Sequence, residues 1–151
     1  MTEKVSPVTS AEDLSKTIEL IDVWPYEVSA KRKGEPTEPP SLETLNDTDA
    51  ELVVQFSRDD DRLIIRLRLP VDTSDAEFLA DIGVVYELPT DIQVEPAVIA
   101  EFVSKVAVFA AYPFVREAIF GMATRLRVTP PVLGIIRAHP RPGDFARAAS
   151  E

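Results

Sequence analysis

Apolar and polar positions alternate with a period of two through the middle of the chain, then switch to a helical spacing. From Leu63 to Leu69, Leu63, Ile65, Leu67 and Leu69 fall on one side and Arg62, Arg66 and Arg68 on the other. From Glu51 to Ser57, Leu52, Val54 and Phe56 share a face. From Phe78 to Leu88, the inward set is Phe78, Ala80, Ile82, Val84, Tyr86 and Leu88, and the outward set is Leu79, Asp81, Gly83, Val85 and Glu87. One apolar and one mixed face predicts an antiparallel sheet covered on one side. Leu14 to Lys33 reads as a further long extended segment whose parity slips. Ile18 and Leu20 share one parity, Ile21 and Val23 take the other, and Trp24, Tyr26 and Val28 return to the first. With Pro25 inside it, the slip predicts a bulge, or an edge strand where the proline faces no ladder partner.

The period changes after Pro96, which suits a helix start. From Ala97 to Ala111 the polar residues are Glu101, Ser104 and Lys105, spaced to form one narrow stripe. A helix this apolar is buried on several sides. Tyr112-Pro113 predicts a kink or break, because proline removes a helical hydrogen bond and disfavours α geometry at the residue before it. A second amphipathic stretch follows, with Val115, Ile119, Met122 and Leu126 on one side. The order of strand, crossover, three strands, helix and extended arm implies an α+β fold: a four-stranded antiparallel sheet with a long kinked helix on one face. The chain reads as a single domain, with a flexible N-terminus over 1–13, a crossover loop over 31–50 that is proline-rich from Lys31 to Pro40, and a tail over 138–151. One sheet face covers only one side of an apolar helix. Phe102, Val106, Phe109 and Ile119 are therefore candidates for an interface with another copy.

Composition narrows the function. The chain has 151 residues, no cysteine and a net charge of −10. A strongly acidic protein repels phosphate backbones, which disfavours nucleic acid. The uncharged run from Val106 to Val115 is too short to span a bilayer. No basic-then-apolar leader is visible, and a cytoplasmic location is expected. The scattered glycines lack phosphate-loop spacing. His139, the one histidine, sits beside Pro140. Asp59, Asp60 and Asp61 read as a solvated turn, with cation binding as the sharper alternative. No nucleophile, metal site or cofactor site emerges, so no enzyme is expected.

Tyr112-Pro113-Phe114-Val115-Arg116-Glu117-Ala118-Ile119, the helix end at Thr124-Arg125, and the extended Thr129-Pro130-Pro131-Val132-Leu133 resemble the carboxy-terminal half of SecB-type preprotein-export chaperones. Phe78-Leu79-Ala80-Asp81-Ile82 is similar to that family's fourth strand, and Glu51 to Phe56 to its second. The element order agrees from Ile18 to Leu133. Gly134 to Ala138 departs from the family's sequence after the arm, and its second long helix is absent or reduced, as in a divergent branch whose members assist antitoxins. The resemblance implies an ATP-independent chaperone assembled as a homotetramer, a dimer of dimers. Its partners would be unfolded preproteins or an antitoxin. It implies that Leu52, Val54 and Phe56, with Trp24 and Tyr26, line a groove for unfolded polypeptide; plain core is the alternative. It also implies that Leu79 and Asp81, with Asp22, form an acidic face docking the SecA translocase motor; a solvated sheet face is the alternative. A small-ligand-binding α+β module is the reading from another class.

Overall fold

The alternation through Leu63–Leu69 is realised as strand β5, Arg62–Thr73, which pairs along its length with β6, Ala76–Glu87. This is a computed structural model that describes residues 7–35, 48–90 and 92–133. Most of the crossover and everything after Leu133, including His139 and the tail, lie outside the described residues. The β5–β6 turn is held by Thr73, whose hydroxyl oxygen accepts from Ala76 N at 3.0 Å and Asp75 N at 3.3 Å. The other side of β5 is shared by β3, Thr48–Ala50, and β4, Val53–Arg58, which pair with successive parts of it. The other side of β6 takes β2, Glu19–Arg32. The sheet is thus antiparallel with four strand positions, in the order β2, β6, β5, then β3 and β4 on one edge.

The parity slip in the first long strand corresponds to two register shifts, between Leu20 and Asp22 and between Pro25 and Glu27. Each inserts a residue and turns the following side chains to the other face. Pro25 is tolerated because β2 is an edge strand. The chain ahead of it differs from the expected loose N-terminus. Pro7–Val8, β1, pairs in parallel with Gln93–Val94, β7. Ala11–Thr17 forms helix α1, capped by Ser10, whose hydroxyl accepts from Asp13 N at 3.1 Å. Leu14 is fully buried as the anchor of that helix and not the start of a strand. Seven residues with two apolar positions are too few to show helical periodicity in the sequence.

Helix α2 runs from Pro96 to Leu126. Of the expected kink or break at Tyr112-Pro113, the break is absent: the α-helical part runs without interruption from Val108 to Leu126 with Pro113 inside it. The irregularity lies earlier, in a π turn over Val103–Ala107, where Val108 N–H bonds to Val103 O. Pro113 leaves the Phe109 carbonyl without its helical donor, but both residues are on the exposed side, where water can substitute. The helix ends at Arg127 in the left-handed region, φ 56°, with Arg127 N donating to Thr124 O at 3.2 Å and Val128 N to Ala123 O at 3.0 Å.

The core lies between the inward residues of β5 and β6 and the buried side of α2, centred on Phe102, Val103, Val115 and Ile119. Tyr86 meets Phe102 edge to face, with ring centroids 5.3 Å apart, and burial raises the Tyr86 pKa above the ordinary tyrosine value. Two expected interface residues are corrected here. Phe102 and Ile119 have no exposed surface and are fully used within the chain. Val106 is half-buried, while Phe109 is 56% exposed and available. By length and composition α2 could cross a membrane, with a mean hydropathy of 1.7 over its best window. Its apolar side is instead packed on the sheet of its own chain.

Candidate functional site

The register separates the five expected client-binding residues onto two faces. Val54 stands opposite Leu67 and Phe56 opposite Ile65, so both point to the helix-covered face. Val54 is core, at 6% exposure, and does not line an open groove. Leu52 and Phe56 are half-buried and pack against the core from its margin. Helix α2 makes its main sheet contacts with β6, β5 and β2. The β4 edge therefore lies beyond most of its cover, and Leu52 and Phe56 remain as a partly open apolar strip.

Trp24 and Tyr26 belong to the opposite, open face. Trp24 stands opposite Gly83, and Tyr26 is the residue inserted by the second bulge. The Tyr26 ring lies directly over Gly83; a Cβ at that position would stand 2.6 Å from the ring. Glycine at this position lets the exposed ring lie this close. The Arg66 guanidinium lies over the Tyr26 ring as well, 4.1 Å from its centroid. Trp24 Nε1 donates to Asp22 Oδ2 at 2.6 Å, and Val23 N donates to Asp22 Oδ1 at 2.8 Å.

Asp81 shows where the expected acidic face changes character. Its backbone directs the side chain away from the helix, as the alternation requires. Its carboxylate is nevertheless 0% exposed. Arg66 Nε and Nη2 donate to its two oxygens at 2.7 and 2.8 Å, and Arg68 Nη1 donates to Oδ2 at 2.9 Å. Arg68 also reaches Glu27 at 3.5 Å. Hydrogen bonding to Asp81 raises the Arg66 pKa above the usual arginine value, against a smaller opposing effect of burial. Cross-strand register places Arg68 opposite Asp81 and Arg66 opposite Gly83. Sequence alternation gives the face but not this pairing, so the arginine cover was not foreseen.

Nor do the expected docking residues converge. Leu79 stands opposite Ser29, and Asp22 opposite Val85, at far ends of β6. Six residues of strand separate them, roughly 20 Å. Asp22 is exposed, and Leu79 is half-buried. Leu79 lines a cavity of ≈ 550 Å³ with Lys31, Glu51, Arg68 and Pro70. Exposed apolar residues that the alternation did not single out are Leu20, Ile21 and Val28 on β2, Val53 on β4, and Phe114 on α2. Their signal was present in β2, where apolar residues of both parities crowd one strand. Asp59, Asp60 and Asp61 form a turn closed by Asp59 N donating to Arg62 O at 2.8 Å. Among the described residues, no group of three or more acidic or histidine side chains could hold a metal ion.

No protein-family model matches the chain. A curated relative, the SecB-like chaperone SmegB of Mycolicibacterium smegmatis, is 29% identical over 127 residues, covering 84% of this chain and 81% of the relative. Among solved structures, the Mycobacterium tuberculosis Rv1957 SecB-like chaperone, in complex with a ChAD peptide from the Rv1956 HigA1 antitoxin, superposes with a TM-score of 0.66 at 16% identity. That match covers 83% of this chain and 96% of the other. A protein of unknown function from Streptococcus agalactiae superposes with a TM-score of 0.52 at 11% identity, covering 79% and 97%. The chain is thus similar in sequence to one SecB-like chaperone and in fold to another.

Proposed function

We propose that this chain is a non-catalytic, ATP-independent chaperone of the cytoplasm that holds unfolded polypeptide. The carrying observation is the strip formed by Leu52 and Phe56, apolar, half-buried and continuous with the core at the uncovered edge of the sheet. Such a strip offers affinity for apolar side chains without selecting one sequence. The surrounding negative charge favours clients carrying basic residues and keeps the loaded complex soluble. An antitoxin is the favoured client, because a relative in fold is bound to an antitoxin peptide. Exported preproteins are the second client class. Delivery to SecA would rest on Asp22 and Leu79, because Asp81 is closed off by Arg66 and Arg68.

The assembly belongs to the same proposal. Phe109 and Phe114 on α2 and Leu20, Ile21 and Val28 on β2 leave exposed apolar side chains on two elements. Apolar exposure on two elements supports a dimer of dimers. The test of the function is aggregation of a chemically denatured client on dilution, with the protein present and nucleotide absent. Suppression at stoichiometric amounts is the expected result. Aggregation at the unassisted rate would remove the chaperone reading.

A further inference from the structure

Residues 7–17 are tied to the rest of the chain by very little. β1 joins β7 through two residue pairs, Pro7 with Gln93 and Val8 with Val94. Helix α1 has seven residues, too short to hold its shape without a surface to pack on. The side-chain hydrogen bonds of this segment stay within it. Thr9 Oγ1 donates to Asp13 at 3.3 Å, and Ser10 Oγ accepts from Asp13 N. Ser15 Oγ donates to Glu12 O at 2.6 Å, and Thr17 Oγ1 to Leu14 O at 3.1 Å. Its ion pair, Lys16 with Glu12, is internal too. Among the described residues, no side-chain hydrogen bond or ion pair crosses from 7–17 to the body of the chain. The anchors are three buried apolar side chains, Val8, Ala11 and Leu14. Lifting the segment breaks only the short β1–β7 ladder and uncovers apolar surface. No polar side chain of the body loses a partner.

Beneath the segment lies the start of α2. The sheet packs chiefly against Val108–Leu126, and the main partner of the Pro96–Phe102 turns outside α2 itself is α1. Val98 and Ile99, on those turns, are buried. The same place adjoins the end of β4. Arg58 Nη1 donates to Val94 O at 2.9 Å, which joins β4 to β7 and so to β1. A cleft of ≈ 520 Å³, lined by Val8, Thr9, Arg58, Glu95 and Val98, leaves this joint unfilled. We propose that residues 7–17 form a releasable strap that opens ahead of global unfolding, bares the Val98–Ile99 surface of α2 and so raises chaperone capacity on warming. This rests on the chaperone reading and adds its regulation. Opening forfeits three apolar anchors, whereas unfolding forfeits the whole core, so opening has the lower free energy. Warming favours the open strap through the backbone entropy of the released segment. The bared surface is apolar and reaches the β4 end through Val94 and Arg58, so its occupant is the unfolded client.

The test locks the strap. Pro7 and Gln93 are exposed partners on the β1–β7 ladder, and the chain has no cysteine. In the full-length Pro7→Cys/Gln93→Cys variant, oxidation within a chain can therefore join only this pair. Thiol titration and an unchanged subunit mass on a non-reducing gel confirm the bridge. Oxidised and reduced forms of one sample are compared for suppression of aggregation of a chemically denatured client. Nucleotide is absent, and temperature rises in steps to the start of global unfolding. The reduced form is expected to gain capacity on warming and to reach at least about twice that of the oxidised form. Native-state hydrogen exchange on the wild-type chain is an independent readout. Amides of α1 are expected to be at least about tenfold less protected than those of β6. Leu14→Ala is expected to widen that gap and raise capacity at low temperature, with β5 and β6 keeping their protection. Equal capacity of the oxidised and reduced forms at every temperature would overturn the strap and leave the chaperone reading intact. So would α1 amides that exchange only with global unfolding, a result that decides the matter alone if the pair does not oxidise. Failure of both forms to suppress aggregation at any temperature would remove the chaperone reading and this regulation with it.

Discussion

Asp81 is the residue that most changes between alternation and structure. The sequence places it on the open face, and the structure buries it under two arginines from the neighbouring strand. A carboxylate held this way leaves two guanidinium groups without their main acceptor when it is removed. Asp81→Ala is expected to cost about 3 kcal/mol in urea denaturation, as for one partner lost from a buried ion pair. A cost under about 1 kcal/mol would mean that Arg66 and Arg68 are solvated instead. Gly83 carries a smaller strain. In Gly83→Ala the added methyl meets the Cε2 edge of an exposed ring, so Tyr26 is expected to swing away and lose its stack on Arg66. The expected cost is about 1 kcal/mol, and it should largely vanish when Tyr26→Ala is already present. An undiminished cost in that background would place the clash elsewhere.

At the scale of elements, most of the sheet was legible and the ends were not. β5 showed its faces because one side is packed and the other is partly open, whereas β6 kept its alternation of residue type although Asp81, Gly83 and Val85 on its other face are buried as well. β2 showed its bulges because each inserted residue reverses the parity. Helix α1 escaped because its burial rests on Ala11 and Leu14 alone. The position of the helix irregularity was misread because proline was the visible cause, while the π turn arises among Val103, Ser104, Lys105, Val106 and Ala107, which carry no local marker. Pro113 within a continuous helix remains a cost to stability. Pro113→Ala is expected to raise stability by about 1 kcal/mol or more, from the restored hydrogen bond less the lost restriction of the unfolded chain. A decrease by calorimetry would show that the helix depends on the proline. The candidate site was only half legible. The apolar trio was visible, but which member is sealed depends on how far α2 reaches across the sheet, and no single strand encodes that reach.

For the whole molecule, acidity, an open apolar strip and leftover apolar surface belong to one account. In the proposed assembly, a net charge of −10 would oppose indiscriminate association through exposed Phe109, Phe114, Leu20, Ile21 and Val28. Phe109→Asp is expected to lower the mass seen by light scattering at micromolar concentration without changing the circular dichroism, since an exposed position costs little stability. An unchanged mass would take the helix out of the assembly. The central claim is that Leu52 and Phe56 hold unfolded client, and one measurement addresses it most directly. Binding of a labelled denatured client is compared between the wild-type chain and the Leu52→Ser/Phe56→Ser variant, with circular dichroism on the same samples. The account predicts a folded variant that binds its client at least about tenfold more weakly, from loss of the apolar contact area. A folded variant that binds the client as tightly as wild type would contradict it.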